Sequence, residues 1–417
     1  MRHFCVCAIP VACSIWAVSS ANAQQLTLQA AVQRARASSP AITAARAAID
    51  AAAARELQAR AWTNPNLSYG REQTAHDELR NSQDIVSIDQ RFEIGGQRSA
   101  RGEAARLRRL AAEARLAAVQ SAVDLEVARA YANALASDRR AELAAQAGDA
   151  FAAARRNSDQ RLAAGDISGY AARRLKLEAA RYTALSLEAR QEQHAARLVL
   201  ASLLSLGTDS VETLRLTPFG EPVRLRISLD SIDVLLERQA HELRAARLDA
   251  DALLADARLA ERDRVPTPTV LAGFKREGSG NNGGSLNGFV AGISIPLPLV
   301  DRRKGAIAAA QAEARRKVAE LDTLRRTSIL AARAAFAATT RMEQQVAALR
   351  AELGDEARLA LAAAEAAYAE GEITLLEWLD AVRAYQEAEA SYAQLSAQAL
   401  IQRATLMRTL GLPVTEE

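Results

Sequence analysis

Residues 97–163 contain no proline and only two glycines, Gly102 and Gly148. Apolar positions such as Leu116, Val119, Val123, Val127 and Ala130 recur at spacings of three and four, the period of one helix face. At 1.5 Å per residue, about 65 residues make a rod about 100 Å long. That exceeds an ordinary domain helix and demands a partner surface of equal length. A second such run covers residues 302–370. The chain is 49% hydrophobic but only 4% aromatic, and alanine supplies much of the apolar count. Small alanines on the seams let helices approach closely, while the many Arg and Glu residues take the wet faces. This composition suits long packed helices better than a compact enzyme core.

Two regions break the helical pattern in the same way. In residues 64–96, Val86, Ile88, Phe92 and Ile94 fall on one face, with Ser87, Asp89, Arg91 and Glu93 on the other. In residues 266–298, Phe289, Ala291, Ile293, Ile295 and Leu297 share one face, with Gly288, Val290, Gly292 and Ser294 opposite. Gly278 to Ser285 is a Gly/Asn/Ser-rich loop between its strands. Each region reads as a hairpin of strands roughly ten residues long, the length that crosses a bilayer when tilted. An isolated hairpin of this kind belongs in a soluble domain, but the helical arms offer no sheet or core to pack on. Four strands cannot close a barrel alone. Three chains would supply twelve strands, removing every edge and leaving a lumen.

The first residues predict export. Arg2 and His3 precede an apolar run from Phe4 to Val18, and Ala21-Asn22-Ala23 offers small residues to a signal peptidase. Residues 1–23 are the expected signal peptide, with Gln24 the mature N-terminus. Cys13 follows Val11-Ala12, but Pro10 breaks the stretch before it and lipidation is not expected. All three cysteines (Cys5, Cys7, Cys13) lie in this segment, so thiolate metal sites and cysteine nucleophiles are not expected in the mature chain. His76, His194 and His241 share no ligand spacing. A net charge of +3 argues against a nucleic-acid partner. No nucleophile elbow, phosphate loop or metal cluster is found, so no catalytic residue, cofactor or bound metal is expected.

The two halves repeat one plan. Gly165-Asp166-Ile167-Ser168 and Gly371-Glu372-Ile373-Thr374 each place an acid, Ile and a small hydroxyl residue after glycine. Glycine supplies the turn conformation, and Ser168 or Thr374 can cap the next helix. The helices that follow end at Leu203-Leu204-Ser205-Leu206-Gly207 and at Met407-Arg408-Thr409-Leu410-Gly411. The expected first repeat is 24–207: hairpin 64–96, helix 97–163, turn 164–167, helix 168–206. The second is 208–417: hairpin 266–298, helix 302–370, turn 371–373, helix 374–411.

On this duplicated plan, and on the turn from Tyr368 to Gly371 with Leu379-Asp380-Ala381 after it, the chain resembles the TolC family of outer-membrane efflux proteins. The stretches from Phe92 to Arg98 and from Ile295 to Arg302 look like the branch serving cobalt–zinc–cadmium-type heavy-metal efflux. The resemblance implies a mainly α fold with a small transmembrane β part. Three chains would form a 12-stranded β-barrel and an α-helical barrel in the outer membrane of a Gram-negative bacterium. The implied partners are a second and third copy, outer-membrane lipid, a periplasmic adaptor (membrane fusion) protein and an inner-membrane resistance-nodulation-division pump.

Residue by residue, the resemblance places Tyr368, Glu377 and Asp380 at the constricted periplasmic entrance. The two acids lie three apart on one helix face, and threefold symmetry would make them a carboxylate ring attractive to cations. Arg173 and Arg174 are candidate ion-pair partners. Ile373 and Ala171 stand where other members can carry a basic gate residue and an acid. The turns, with Gly165, Asp166, Gly371 and Glu372, would meet the adaptor. The expected function is a passive exit duct for divalent metal cations. A drug, solvent or secreted-protein duct is the alternative within the fold, and a poreless periplasmic coiled coil the alternative outside it.

Overall fold

The computed structural model describes residues 25–415 except 77–78, 166, 219–226, 280–283 and 354–355. The expected signal peptide and Asp166 lie outside the described residues. Two helices come first. Helix α1 (Leu28–Ser38) begins where Ala30 N–H donates to Thr27 Oγ1 at 3.2 Å, and α2 (Pro40–Arg60) has proline at its start, where no intrahelical donor is lost. Strands β1 (Asn66–His76) and β2 (Leu79–Arg91) follow, then the rod α3 (Gln97–Ala164). Next come α4 (Gly169–Leu203), the short α5 (Ile232–Gln239) and α6 (His241–Arg262). Strands β3 (Thr269–Ser279) and β4 (Ser285–Ser294) complete the sheet, and α7 (Lys304–Leu353), α8 (Glu356–Glu370) and α9 (Leu375–Leu410) finish the chain. The rod expected over 302–370 is helix on both sides of residues 354–355, which lie outside the described residues.

The sheet is antiparallel in the order β1-β2-β3-β4. Its register lines Tyr69, Val86, Phe274 and Phe289 into one row across all four strands, with Leu67, Ile88, Ala272 and Ala291 in the next row on the same face. The opposite face carries Ser68, Ser87, Gly273 and Val290, then Gly70, Ile85, Lys275 and Gly288, then Glu72, Gln83, Glu277 and Leu286. Phe92, Ile94, Ile295 and Leu297, which the alternation assigns to the apolar face, lie past the ends of β2 and β4. Within the chain β1 and β4 each pair on one side only.

Helix α3 is the axis of the helical body. Near the sheet it packs against α2 and α6, where Arg101 Nε donates to Ala59 O at 3.0 Å and Arg108 pairs with Asp256. Farther along it packs against α4 and α9, where Arg197 meets Asp138 at 2.7 Å and Arg139 meets Glu389 at 2.7 Å. Helix α7 lies on α6 and then on α9. The buried face of α3 is mostly alanine (Ala104, Ala111, Ala128, Ala132, Ala134, Ala136), and small side chains bring the ridges of neighbouring helices close.

Apolar density concentrates where helices meet end to end. Ile42, Val127, Tyr131, Leu200 and Leu204 join α2, α3 and α4; Ile232, Leu236, Leu243, Leu406 and Leu410 join α5, α6 and α9. The buried Tyr131 hydroxyl lies 2.7 Å from Leu26 O and 2.8 Å from Thr217 O, beside the single bridge pairing Leu26 with Leu216. The hydroxyl thus sits within hydrogen-bond reach of both segments.

The helix ends depart from the expected pairing. Gly411 has φ +75°, and Leu412 N–H and Gly411 N–H donate to Met407 O and Arg408 O. In the first half Ser205, not Gly207, holds the left-handed position (φ 51°). Leu206 N–H and Ser205 N–H donate there to Ala201 O and Ser202 O. Both are the same reverse-turn cap; one is built on a residue that resists it. Gly411 has no freedom to change, because a Cβ there would lie 2.1 Å from Gln239 O. Ser205→Gly is expected to stabilise the protein by about 1 kcal/mol by removing left-handed strain. Gly411→Ala should destabilise it by about 3 kcal/mol or more. Thermal unfolding of the two purified variants, which should move in opposite directions, checks both.

Candidate gate at the far end of the helices

The end of the helical body away from the sheet is made by two glycine turns. Gly165 and Gly371 have φ +82° and +81°, closing α3 and α8 as only glycine does without strain. At the second turn Gly371 N–H donates to Tyr368 O and Glu372 N–H to Ala367 O. At the first, Gly165 N–H donates to Leu162 O. Each turn hands over to a capped helix. Ala171 N–H donates to Ser168 Oγ at 3.2 Å, and Glu377 N–H to Thr374 Oγ1 at 3.3 Å.

Glu377 completes a reciprocal cap. Its Oε2 accepts from Thr374 N–H at 2.7 Å and from Thr374 Oγ1–H at 2.8 Å. The backbone hydrogen bond from Thr374, then its hydroxyl, hold this carboxyl below the usual glutamate pKa. One of the expected entrance acids therefore has a structural duty at the start of α9. Asp380, one turn on, is exposed on the same side, while Trp378 and Leu379 between them are buried. Glu377 and Asp380 thus stay on the wet side of α9 while its other side enters the core.

That core is an aromatic stack spanning four helices, and the sequence reading missed it. Tyr182 of α4 stacks on Phe151 of α3 with centroids 4.2 Å apart. Phe151 meets Trp378 of α9 at 5.0 Å, and Trp378 stacks on Tyr368 of α8 at 5.0 Å and 13°. Each such pair adds about 0.5–1.5 kcal/mol beyond its area. Leu175, Leu379 and Val382 pack around it. The expected entrance tyrosine, Tyr368, is therefore held by ring packing inside the subunit. The signal available in the sequence was the rarity of aromatics: Phe151 is isolated in an alanine-rich rod.

A charge link between the halves is made by residues outside the expected set. Arg173 is exposed and Arg174 half-buried, and neither forms an ion pair with a described residue. Arg383 of α9 instead reaches Glu178 of α4 at 2.7 Å, with the Glu178 side chain largely buried. The hydrogen bond to Glu178 is the main influence raising Arg383, and the Tyr182 hydroxyl lies beside the pair. Burial pushes Tyr182 up and Arg383 opposes it. Glu178 and Arg383 are 205 residues apart, so no local pattern could announce them.

Residues 16–205 and 233–412 match the model of the outer membrane efflux protein family. The chain belongs to the outer membrane efflux protein family. The cobalt-zinc-cadmium resistance protein CzcC of Cupriavidus metallidurans is 29% identical over 93% of this chain and 90% of its own length. The nickel and cobalt resistance protein CnrC of the same organism is 31% identical over 70% of this chain and 69% of its own. The outer membrane protein VceC of Vibrio cholerae shares the fold, with a TM-score of 0.74 at 19% identity over 93% of this chain and 96% of that one.

As an outer membrane efflux protein, the chain has its sheet in the outer membrane and its helices in the periplasm. No helix among the described residues is long and apolar enough to cross a membrane. The glycine turns therefore mark the periplasmic end, and the apolar rows of Leu67 and Tyr69 form the lipid-facing side of the sheet. Among the described residues no three His, Cys, Asp or Glu side chains group as a metal ion requires. The lowered Glu377 carboxyl gives a signed expectation. Its cap stabilises α9 at pH above the unfolded glutamate pKa and is lost as pH falls through the lower folded value. The protection of amides 375–378, measured against the intrinsic exchange rate at each pH, should fall on acidification in the native channel, and Glu377→Gln should flatten that pH dependence.

Proposed function

We propose that this outer-membrane channel is the passive exit duct of a tripartite pump for divalent heavy-metal cations, without catalytic chemistry of its own. The observation that carries the cargo is the CzcC relative, alike over nine-tenths of both chains and named for cobalt, zinc and cadmium resistance. Three copies close the sheet: β4 of one subunit pairs with β1 of the next, giving twelve strands and no edge in lipid. The same ring of three joins the helices into a tunnel built from two repeats per chain, 24–207 and 208–417.

At the periplasmic end, Tyr368, Glu377 and Asp380 form the entrance. Six carboxylates around the threefold axis, two per subunit, raise the local concentration of divalent cations. Arg173 and Arg174, which have no described carboxylate partner, face charges of a neighbouring subunit or of the adaptor. The turns at Gly165–Asp166 and Gly371–Glu372 dock the adaptor's helical hairpins, and the pump partner is of the resistance-nodulation-division class. The aromatic stack and the Glu178–Arg383 pair hold α8 and α9 against α3 and α4.

Deleting the gene is expected to sensitise cells to cobalt, zinc or cadmium, with tolerance restored by the wild-type copy. Unchanged metal tolerance together with drug sensitivity would move the cargo to the drug reading. The outer-membrane fraction should yield a heat-modifiable oligomer with the mass of three chains; a dimer of rods without a pore would refute the duct. Asp380→Asn should lower cation preference in single-channel recordings without weakening the oligomer. Reversing charge at Asp166 and Glu372 should reduce co-purification of the adaptor.

A further inference from the structure

Where the strands hand over to the helices, apolar side chains and unpaired cations meet. On the lipid-facing side, Trp62 lies edge-on to Phe92 with centroids 6.4 Å apart, and the Arg98 guanidinium sits 4.1 Å over the Trp62 ring. Phe92 follows β2 in the parity of Val86 and Ile88, which puts this trio on the apolar face. Past β4, Ile295, Leu297 and Leu299 are all exposed, and a tight turn in which Leu299 N–H donates to Leu297 O bends the chain there. They project from a segment stiffened by Pro296 and Pro298, and Val300 is 99% exposed.

Cations follow directly. Arg264 Nε reaches within 3.5 Å of Arg302 O, and Lys304 opens α7. No described carboxylate pairs with Arg98, Arg264, Arg302 or Lys304. The nearby acids are already engaged: Glu93 with Arg101, Asp263 with Arg303, and Asp301 with the Arg303 backbone N–H. Four unpaired positive charges therefore border an exposed apolar belt that continues the lipid-facing rows of the sheet.

We propose that this rim is a binding surface for anionic phospholipid headgroups of the periplasmic leaflet of the outer membrane. Trp62, Phe92, Leu297 and Leu299 lie at acyl-chain and carbonyl depth, where aromatic and apolar groups anchor a membrane protein. Arg98, Arg264, Arg302 and Lys304 contact the phosphates. The Trp62 ring holds Arg98 by a cation–π contact and leaves the outer edge of its fork free for an oxygen. Two features favour lipid over a soluble anion: continuity with the apolar face, and cations spread along an edge instead of converging on a pocket. The inference needs only that the sheet sits in the outer membrane, and is independent of cargo.

The test uses the purified oligomer in nanodiscs of phosphatidylcholine with or without phosphatidylglycerol. Phosphatidylglycerol should raise the wild-type unfolding temperature, and the rise should shrink in high salt. The Arg302→Gln/Lys304→Gln double variant should lose about half of that rise, and Arg302→Lys should retain it. An equal unfolding temperature in both lipids for the wild type would overturn the proposal. So would a double variant that keeps the full rise. Loss of the oligomer in the double variant would assign the rim to the subunit interface and equally overturn it. A heat-modifiable oligomer that shows no lipid effect would sink the rim and leave the duct standing.

Discussion

A backbone amide in hydrocarbon has no water to bond, so every strand in a membrane must be paired on both sides. This chain brings four strands, and β1 and β4 each present one open edge. The open edges make a lone subunit untenable in lipid and make further copies part of its fold. The helical body inherits that constraint. Each strand pair feeds a rod, so a ring in the membrane imposes a ring of rods below it. The alanine seams of α3 answer this geometrically, since a narrow wall needs axes close together and side chains that occupy little depth.

The far end solves a different problem. A wall made of alanine has little apolar burial to hold its tip. The structure places four large rings there, with Phe151, Tyr182, Trp378 and Tyr368 running through four helices. The acids sit on the opposite side of α9. Glu377 illustrates the economy of the arrangement: one oxygen closes the helix start while the group stays exposed and ionised. Stability and charge come from different faces of one short segment, so each can be varied without the other.

The two halves close their last helices alike, but the two ends are not interchangeable. Both α4 and α9 end in the same left-handed cap, yet one uses Ser205 and the other Gly411. Gly411 is pressed against Gln239 O at the junction of α5 and α6, where no side chain fits. Ser205 is exposed, and nothing near it forbids a Cβ. A residue that matches by sequence alignment, Gly207, has ordinary extended backbone (φ −66°). Equivalence between repeats is therefore a matter of backbone role, which a close neighbour enforces in one copy and not in the other.

The rods, the hairpins, the glycine turns and the caps at Ser168 and Thr374 were legible in the sequence because each is set by local periodicity or by a residue's own backbone preference. The apolar face of the sheet was legible for the same reason, since alternation is a property of consecutive residues. Register across four strands, the stacking of Tyr368 on Trp378 and the pairing of Glu178 with Arg383 were not. They depend on which segments far apart in the chain are brought side by side, and only packing against α3 decides that.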